Sequence, residues 1–203
     1  MVDRSHGYEA AAAEFMKVRS PSIGVARVQD WANALPRGAA VLDLGCGPGV
    51  PITEVLVGAG LGVYGIDAAP SLVREFRRNL PTTPVVCEAV QDSTFFDRTF
   101  DGILAWGLMF LLTVQDQRRL IQRIAEALVP GGRLLFTSSA HIASGTDVLT
   151  GLESRSLGAD EYRQRLAAVG ISVAHEYVDE GGNHYFDAVK GPAAHGPGSA
   201  TTR

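Results

Sequence analysis

Residues 41–53 read VLDLGCGPGVPIT. Aliphatic residues lead into glycines at 45, 47 and 49, and Pro51 then opens a run of helix formers, so the stretch reads as a strand, a tight turn and a helix. Without Cβ atoms the turn can bend sharply and admit a ligand to the backbone. A glycine loop between a strand and a helix is the context in which open α/β sheets bind nucleotide-type ligands at their carboxyl edge.

Two neighbouring residues narrow the ligand. The dinucleotide fingerprint G-x-G-x-x-G would place its third glycine at 50, where this chain has Val50, and Pro51 removes an amide from the helix start that would bind a pyrophosphate. Asp43, just inside the loop, favours a cationic ligand over a phosphate. A second strand ends at YGID, which puts Asp67 18 residues after Gly49. A carboxylate there can accept hydrogen bonds from both ribose hydroxyls, so it indicates an adenosine without deciding which one.

Outward from this unit the chain alternates β-rich and amphipathic segments, the pattern of a mostly parallel sheet covered by helices on both faces. Strands are expected at 40–45, 61–67, 84–90, 100–106 and 133–139, and helices at 51–59, 69–80, 115–128 and 158–170. The sharp turn VPGGR separates the helix at 115–128 from the fifth strand, and residues 171–178 and 184–190 form a terminal hairpin around DEGGN. Helices at 8–18 and 23–35 precede the first strand as an added cap. The expected organisation is an N-terminal helical cap or lid (1–37), a core (38–190) and a disordered Gly/Pro-rich tail (191–203).

Composition agrees with a single core. The 203 residues are 46% apolar and 20% charged, with a formal net charge of -4, so no broad basic footprint for nucleic acid is present. Arg74, Arg77 and Arg78 read as a solvated helix face. Cys46 and Cys87 suggest buried thiols in a reducing compartment, and they are too few for a zinc site of their own. No run of 18 apolar residues occurs, so a soluble, cytoplasmic protein with no membrane partner is expected; the oligomeric state is open.

The segments VLDLGCGPG and VYGID, continued by FDGILAWGLMFLL and LVPGGRLLFTSS, resemble the successive motifs of class I S-adenosylmethionine-dependent methyltransferases, over about residues 38–190. The resemblance implies a Rossmann-like α/β fold with a seven-stranded sheet, the last strand antiparallel, and S-adenosylmethionine as cofactor. It implies that Gly45, Cys46, Gly47 and Gly49 line the methionine portion. Asp43 would lie near the amino end, directly or through water; Asp67 would hold the ribose and Ala68 pack against adenine. Ala89 and Val90 fall at the adenine-edge positions. Ala89 departs from the acidic residue often found there, leaving Gln91 or Asp92 as substitutes. Trp106 is either a core residue or an aromatic face near the sulfonium. Arg19 is either a surface residue or the partner of the cofactor's carboxylate.

For the acceptor, a base is needed if the nucleophile carries a proton. His141, just past the fifth strand, and His184, just before the last, fall at the carboxyl edge and are the catalytic candidates, with loop solvation the alternative for each. Tyr185, Glu180 and Asp147 are weaker ones. His6 lies on an N-terminal segment expected to be mobile, His175 inside a strand and His195 in the tail. The polar stretch 138–158 lacks periodicity and occupies the place of an acceptor pocket or lid, with Ile142, Val148, Leu149, Met109 and Phe110 suited to a modest organic molecule. The sequence AWGL replaces the Asn/Asp-Pro-Pro-Tyr/Phe stretch of amino-group methylases of DNA, so the expectation is a small-molecule methyltransferase. The alternatives are a protein or RNA methyltransferase, or a non-methylating protein that binds S-adenosylmethionine.

Overall fold

The computed structural model describes residues 3–192. In chain order the elements are α1 (Tyr8–Val18), α2 (Val25–Asn33), β1 (Ala40–Leu44), α3 (Ile52–Gly58), β2 (Gly62–Asp67), α4 (Pro70–Asn79), β3 (Val85–Cys87), β4 (Phe100–Ala105), α5 (Val114–Ala127), β5 (Leu128–Thr137), β6 (Ile142–Thr146), β7 (Glu153–Leu157), α6 (Ala159–Ala168), β8 (Ile171–Val178) and β9 (His184–Lys190). Seven strands form one sheet in the order β3-β2-β1-β4-β5-β9-β8. β1 to β5 run parallel, and β9 is antiparallel to both neighbours. This is the expected α/β architecture, reached because the central strands are apolar on both faces and need helices over each.

One face buries Val28 and Trp31 of α2 and Ile52 and Leu56 of α3 against Val41, Val63 and Leu104. The other buries Leu120, Ile121 and Ile124 of α5 and Tyr162 and Leu166 of α6 against Leu42, Ile103 and Phe136. Thus α2, expected as part of a cap, is a layer of the core. Only α1 and residues 3–7 lie over the carboxyl edge, where α1 packs through Ala12 on Ala69 and Leu72 of α4.

Four further differences from the sequence reading have local causes. β3 is three residues long, not seven, because it is an edge strand whose chain turns back at once, with the amides of Asp92 and Ser93 bonded to the Ala89 carbonyl. Its edge position also leaves Cys87 exposed, whereas Cys46 is buried. The VPGGR turn lies within β5, where the pairing slips between Phe100↔Leu128 and Gly102↔Arg133. Residues 142–157 form an antiparallel hairpin, β6 and β7, which carries no alternation signal because every residue of β6 faces solvent. Its turn is fixed by Asp147, whose Oδ1 accepts from the amides of Leu149 and Thr150 and from the Thr150 hydroxyl. The expected tail, apart from its first two residues, lies outside the described residues, as does His195.

Candidate active-site cleft

The glycine loop leaves β1 with φ of 72° at Gly45, 55° at Gly47 and 81° at Gly49, all in the left-handed region that side chains disfavour. Its members face different ways. Gly45 and Gly47 line a cleft at the carboxyl edge of the sheet. A Cβ on Gly49 would come within 2.9 Å of Phe76 and Leu80, so this glycine permits α4 to close on the loop. The Cys46 thiol is buried behind the loop, next to Gly65 and Phe76.

The amides of Gly45, Cys46, Gly47 and Gly49 are already occupied. Those of Gly45 and Cys46 bond to the Ile66 carbonyl, that of Gly47 to Asp67 Oδ2 at 2.9 Å, and that of Gly49 to the Cys46 carbonyl, while Pro48 has none. A pyrophosphate would need these donors free. The geometry therefore explains physically why this loop does not suit a dinucleotide.

Asp67, at the end of β2, lines the cleft and accepts one amide on each oxygen, from Gly47 and, at 2.8 Å, from Ala69. Burial raises its pKa, opposed by those two bonds. Each oxygen retains lone pairs, which suits a pair of vicinal hydroxyls. Asp43 does not line the cleft; it lies beneath the loop, 2% exposed, and accepts from Thr53 Oγ1 at 2.7 Å. Burial pushes its pKa up to about 6, against the hydrogen bond from Thr53 and the attraction of Arg19.

Arg19 follows α1 and reaches into the cleft. Its Nε donates to the Val50 carbonyl at 2.8 Å, and its guanidinium lies 5.0 Å from the ring centroids of both Phe15 and Trp106. Burial lowers its pKa, with Asp43 opposing, yet no carboxylate of the described residues lies within 4.0 Å of it. A buried cation without an ion pair is costly unless a ligand anion completes it.

Ala68, Ala89, Val90 and Gln91 line the same cleft around Asp67, whereas Asp92 is paired with Arg4 at 2.8 Å on the surface. Trp106 is half-buried and lines the cleft, so it is both packed and available to a ligand. Its Nε1 donates to the Tyr185 hydroxyl at 2.6 Å, which in turn donates to Asp179 Oδ2 at 2.8 Å. Asn183, bonded to the same carboxylate, reaches the cleft wall.

The catalytic candidates from the sequence are not brought together. His141 is exposed and borders a separate surface recess beside α6. His184 pairs through Nε2 with Glu176 at 2.8 Å and stacks edge-on against Phe186, outside the cleft lining. Both stand at the carboxyl edge, but that edge is wide: the His184 side chain is engaged by Glu176, and His141 is exposed beside α6. Glu180 is exposed, Tyr185 is buried in the Trp106 chain, and Asp147 accepts from Tyr8 at 3.2 Å.

The wall opposite the glycine loop consists of residues that the sequence reading left aside: Arg4, Ser5, His6 and Tyr8. The segment is folded on Asp3, which accepts from the Ser5 amide and hydroxyl at 2.8 and 2.6 Å and from the Gly7 amide at 3.1 Å. Glu9 anchors it to α4 through the Ser71 amide and hydroxyl. The Asp-x-Ser spacing ahead of a helix is the signal that would have found it.

The residues fit an adenosyl ligand with a carboxylate tail: a carboxylate for hydroxyls, a guanidinium without a carboxylate within 4.0 Å among the described residues, and small residues in the same lining. A family profile described as a methyltransferase domain matches residues 41–132. The chain also superposes, with a TM-score of 0.68 and 20% identity over 89% of its length and 96% of the other, on an S-adenosylmethionine-bound amino pentose methyltransferase from Micromonospora echinaspora. Residues 41–132 carry a methyltransferase domain, and the chain has the Rossmann-like α/β fold of S-adenosylmethionine-dependent methyltransferases. Methyltransferases of this fold use S-adenosylmethionine as cofactor.

Curated relatives include an uncharacterized methyltransferase of Mycobacterium bovis, 36% identical over 52% of this chain, and a probable tRNA methyltransferase 9B of Homo sapiens, 30% identical over 64%. The chain spans 41% and 27% of their respective lengths. Among the described residues no helix is long and apolar enough to cross a membrane.

Proposed function

We propose that the chain transfers a methyl group from S-adenosylmethionine to a small organic acceptor. The observation that carries this reading is the cleft itself, lined by Asp67, by Arg19, which has no ion-pair partner among the described residues, and by the apolar Leu108, Phe110, Leu111 and Leu112. Asp67 holds the ribose hydroxyls, Arg19 the carboxylate, and Asp43 attracts the amino end through the thin glycine loop. Ala68, Ala89, Val90 and Gln91 surround the adenine, with the Gln91 side chain the polar group available where Ala89 has none. When bound, S-adenosylmethionine supplies an electrophilic methyl group on a sulfonium.

The chain's own contribution is alignment and exclusion of water, since in-line transfer gains chiefly from holding the nucleophile at attack distance. Trp106, fixed in angle by Tyr185 and Asp179, presents its ring beside Arg19 and favours positive charge within the cleft. His141 and His184 receive no role in this reading, because neither lines the cleft. Titration calorimetry with S-adenosylhomocysteine, followed by S-adenosylhomocysteine release over an acceptor panel, tests it. Binding with turnover of small acceptors is expected, and absence of binding overturns it.

The human relative named for tRNA supports a second reading, an RNA acceptor. It predicts turnover on tRNA that falls steeply with salt, as phosphate contacts are lost. The net charge of -4 supports the small acceptor instead.

A further inference from the structure

The turn between β8 and β9 is built around one carboxylate. Asp179 accepts from the amides of Gly181 and Asn183 at 2.9 Å each, from Asn183 Nδ2 at 2.9 and 3.1 Å, and from the Tyr185 hydroxyl at 2.8 Å. Burial acts to raise its pKa, but the bonds from Asn183, Tyr185 and Gly181 hold it below the usual carboxylate value, so at neutral pH it can only accept. Such a partner fixes which way the Asn183 amide points: its NH2 faces Asp179 and its carbonyl faces away. The backbone of Asn183 is spent as well, its carbonyl accepting from the Asp179 amide at 3.1 Å. Oδ1 is thus the one polar atom of Asn183 without a partner among the described residues, and protein does not enclose it. Asn183 is half-buried and lines the cleft, whereas Asp179 does not line it. The carbonyl is therefore the polar part of this residue that a molecule in the cleft can meet. Gly181 lets the turn close this tightly, since a Cβ there would stand 2.7 Å from Ile23 and 3.2 Å from Asn183 Nδ2.

We propose that Asn183 is a specificity-determining residue: its Oδ1 accepts a hydrogen bond from a hydroxyl or N–H of the methyl acceptor, on an atom other than the one methylated. The inference rests on the methyltransferase reading above. It makes the acceptor a neutral molecule with a hydrogen-bond donor on an apolar body. Arg4 and Arg19 share the lining and oppose a cation, and Leu108, Phe110 and Leu111 give the body an apolar seat. Selection follows from what happens to Oδ1 when water leaves. A molecule with a free donor replaces the lost bond, whereas the same molecule with its donor capped leaves the carbonyl unmet. The carboxylate that aims Asn183 also fixes Trp106 through Tyr185, so the carbonyl and the aromatic wall are held in one frame.

The test uses the full chain. Wild-type protein is expected to bind S-adenosylhomocysteine; if it does not, the methyltransferase reading falls and this proposal with it. With binding in place, the complex is titrated by NMR with matched pairs that differ only in the donor: phenol against anisole, and benzamide against N,N-dimethylbenzamide. The member with the donor should bind at least ~5-fold more tightly, the worth of one neutral hydrogen bond, and should move the Asn183 side-chain amide signals, assigned by their loss in Asn183→Ala. Equal affinities within both pairs, no binding by any of the four, or unmoved Asn183 signals overturns the proposal alone. Asn183→Ala should abolish the preference while keeping S-adenosylhomocysteine affinity. Tyr185→Phe, which unties Trp106 but leaves Asn183 on Asp179, should keep the preference. A preference that survives in Asn183→Ala, or that is lost equally in Tyr185→Phe, overturns the assignment to the Asn183 carbonyl.

Discussion

At the end of β1 the glycine loop satisfies its own amides from neighbours a few residues away or on the adjacent strand, whereas the wall facing it, residues 3–8, is held by side chains reaching across the fold. Asp67 and Ile66 fix the first; Ser71, Asp92 and Asp147, on three separate segments, fix the second. The glycine-loop side of the cleft is therefore set by the sheet and needs no ligand to form. The wall at residues 3–8 is a set of independent ties, each of which can be cut without disturbing the sheet.

Four substitutions bear on this contrast. The largest effect is expected at Asp67. Asp67→Ala removes the hydroxyl acceptor and also unties the Gly47 amide, so calorimetry should show a loss of S-adenosylhomocysteine affinity of about 3 kcal/mol, over ~100-fold. A loss below tenfold would mean that the loop, not the carboxylate, carries the binding. Asp43 comes next. Its folded pKa is raised to about 6 from 3.8, so the folded state favours the proton. Its favourable contribution is complete below pH 3.8 and is lost as pH rises through about 6. Asp43→Asn should remove that slope and raise ligand-free stability at pH 8 by on the order of 2 kcal/mol, read from urea melts at pH 5 and 8. Equal slopes in both proteins would place the titration elsewhere.

Arg19→Met should weaken S-adenosylhomocysteine by about 1.5–2 kcal/mol and leave adenosine, which has no carboxylate, unaffected. Equal losses for both would assign Arg19 to shaping the loop through Val50. The smallest effect belongs to the wall at residues 3–8. Tyr8→Phe cuts the tie to Asp147, and should cost about 0.5–1 kcal/mol in stability with faster amide exchange confined to residues 3–8 and 147–152. A global change would show that wall and sheet unfold together.

The same contrast decides what could be read from the sequence. The loop, Asp67 and the central strands announce themselves because glycine spacing and aliphatic runs are local signals. Ala68, Ala89, Val90 and Gln91, which line the cleft, were placed by aligning the strands, whereas Trp106 and Arg19 were each left open between the cleft and a structural position. The wall at residues 4–8 was not legible. Its residues are polar, its fixing bonds link positions as far apart as Tyr8 and Asp147, and no periodicity encodes them. His141 and His184 were placed correctly along the strands, but which way a loop side chain turns is set by partners such as Glu176, which a strand pattern does not contain. The hairpin β6–β7 was missed for a related reason: with β6 wet throughout, nothing in its hydropathy distinguishes strand from loop.

The internally bonded glycine loop has a consequence for how the protein would respond to its ligand. A loop whose Gly45, Cys46, Gly47 and Gly49 amides are already bonded has little to rearrange when the donor arrives, so donor binding should leave the exchange rates of those amides almost as they were. The signature of occupancy would instead appear in the arm at residues 3–8, whose exchange slows as the cleft it lines is filled. A sensor built on this chain should carry its reporter on that arm, since the motif by which the family is recognised is the part that would report least.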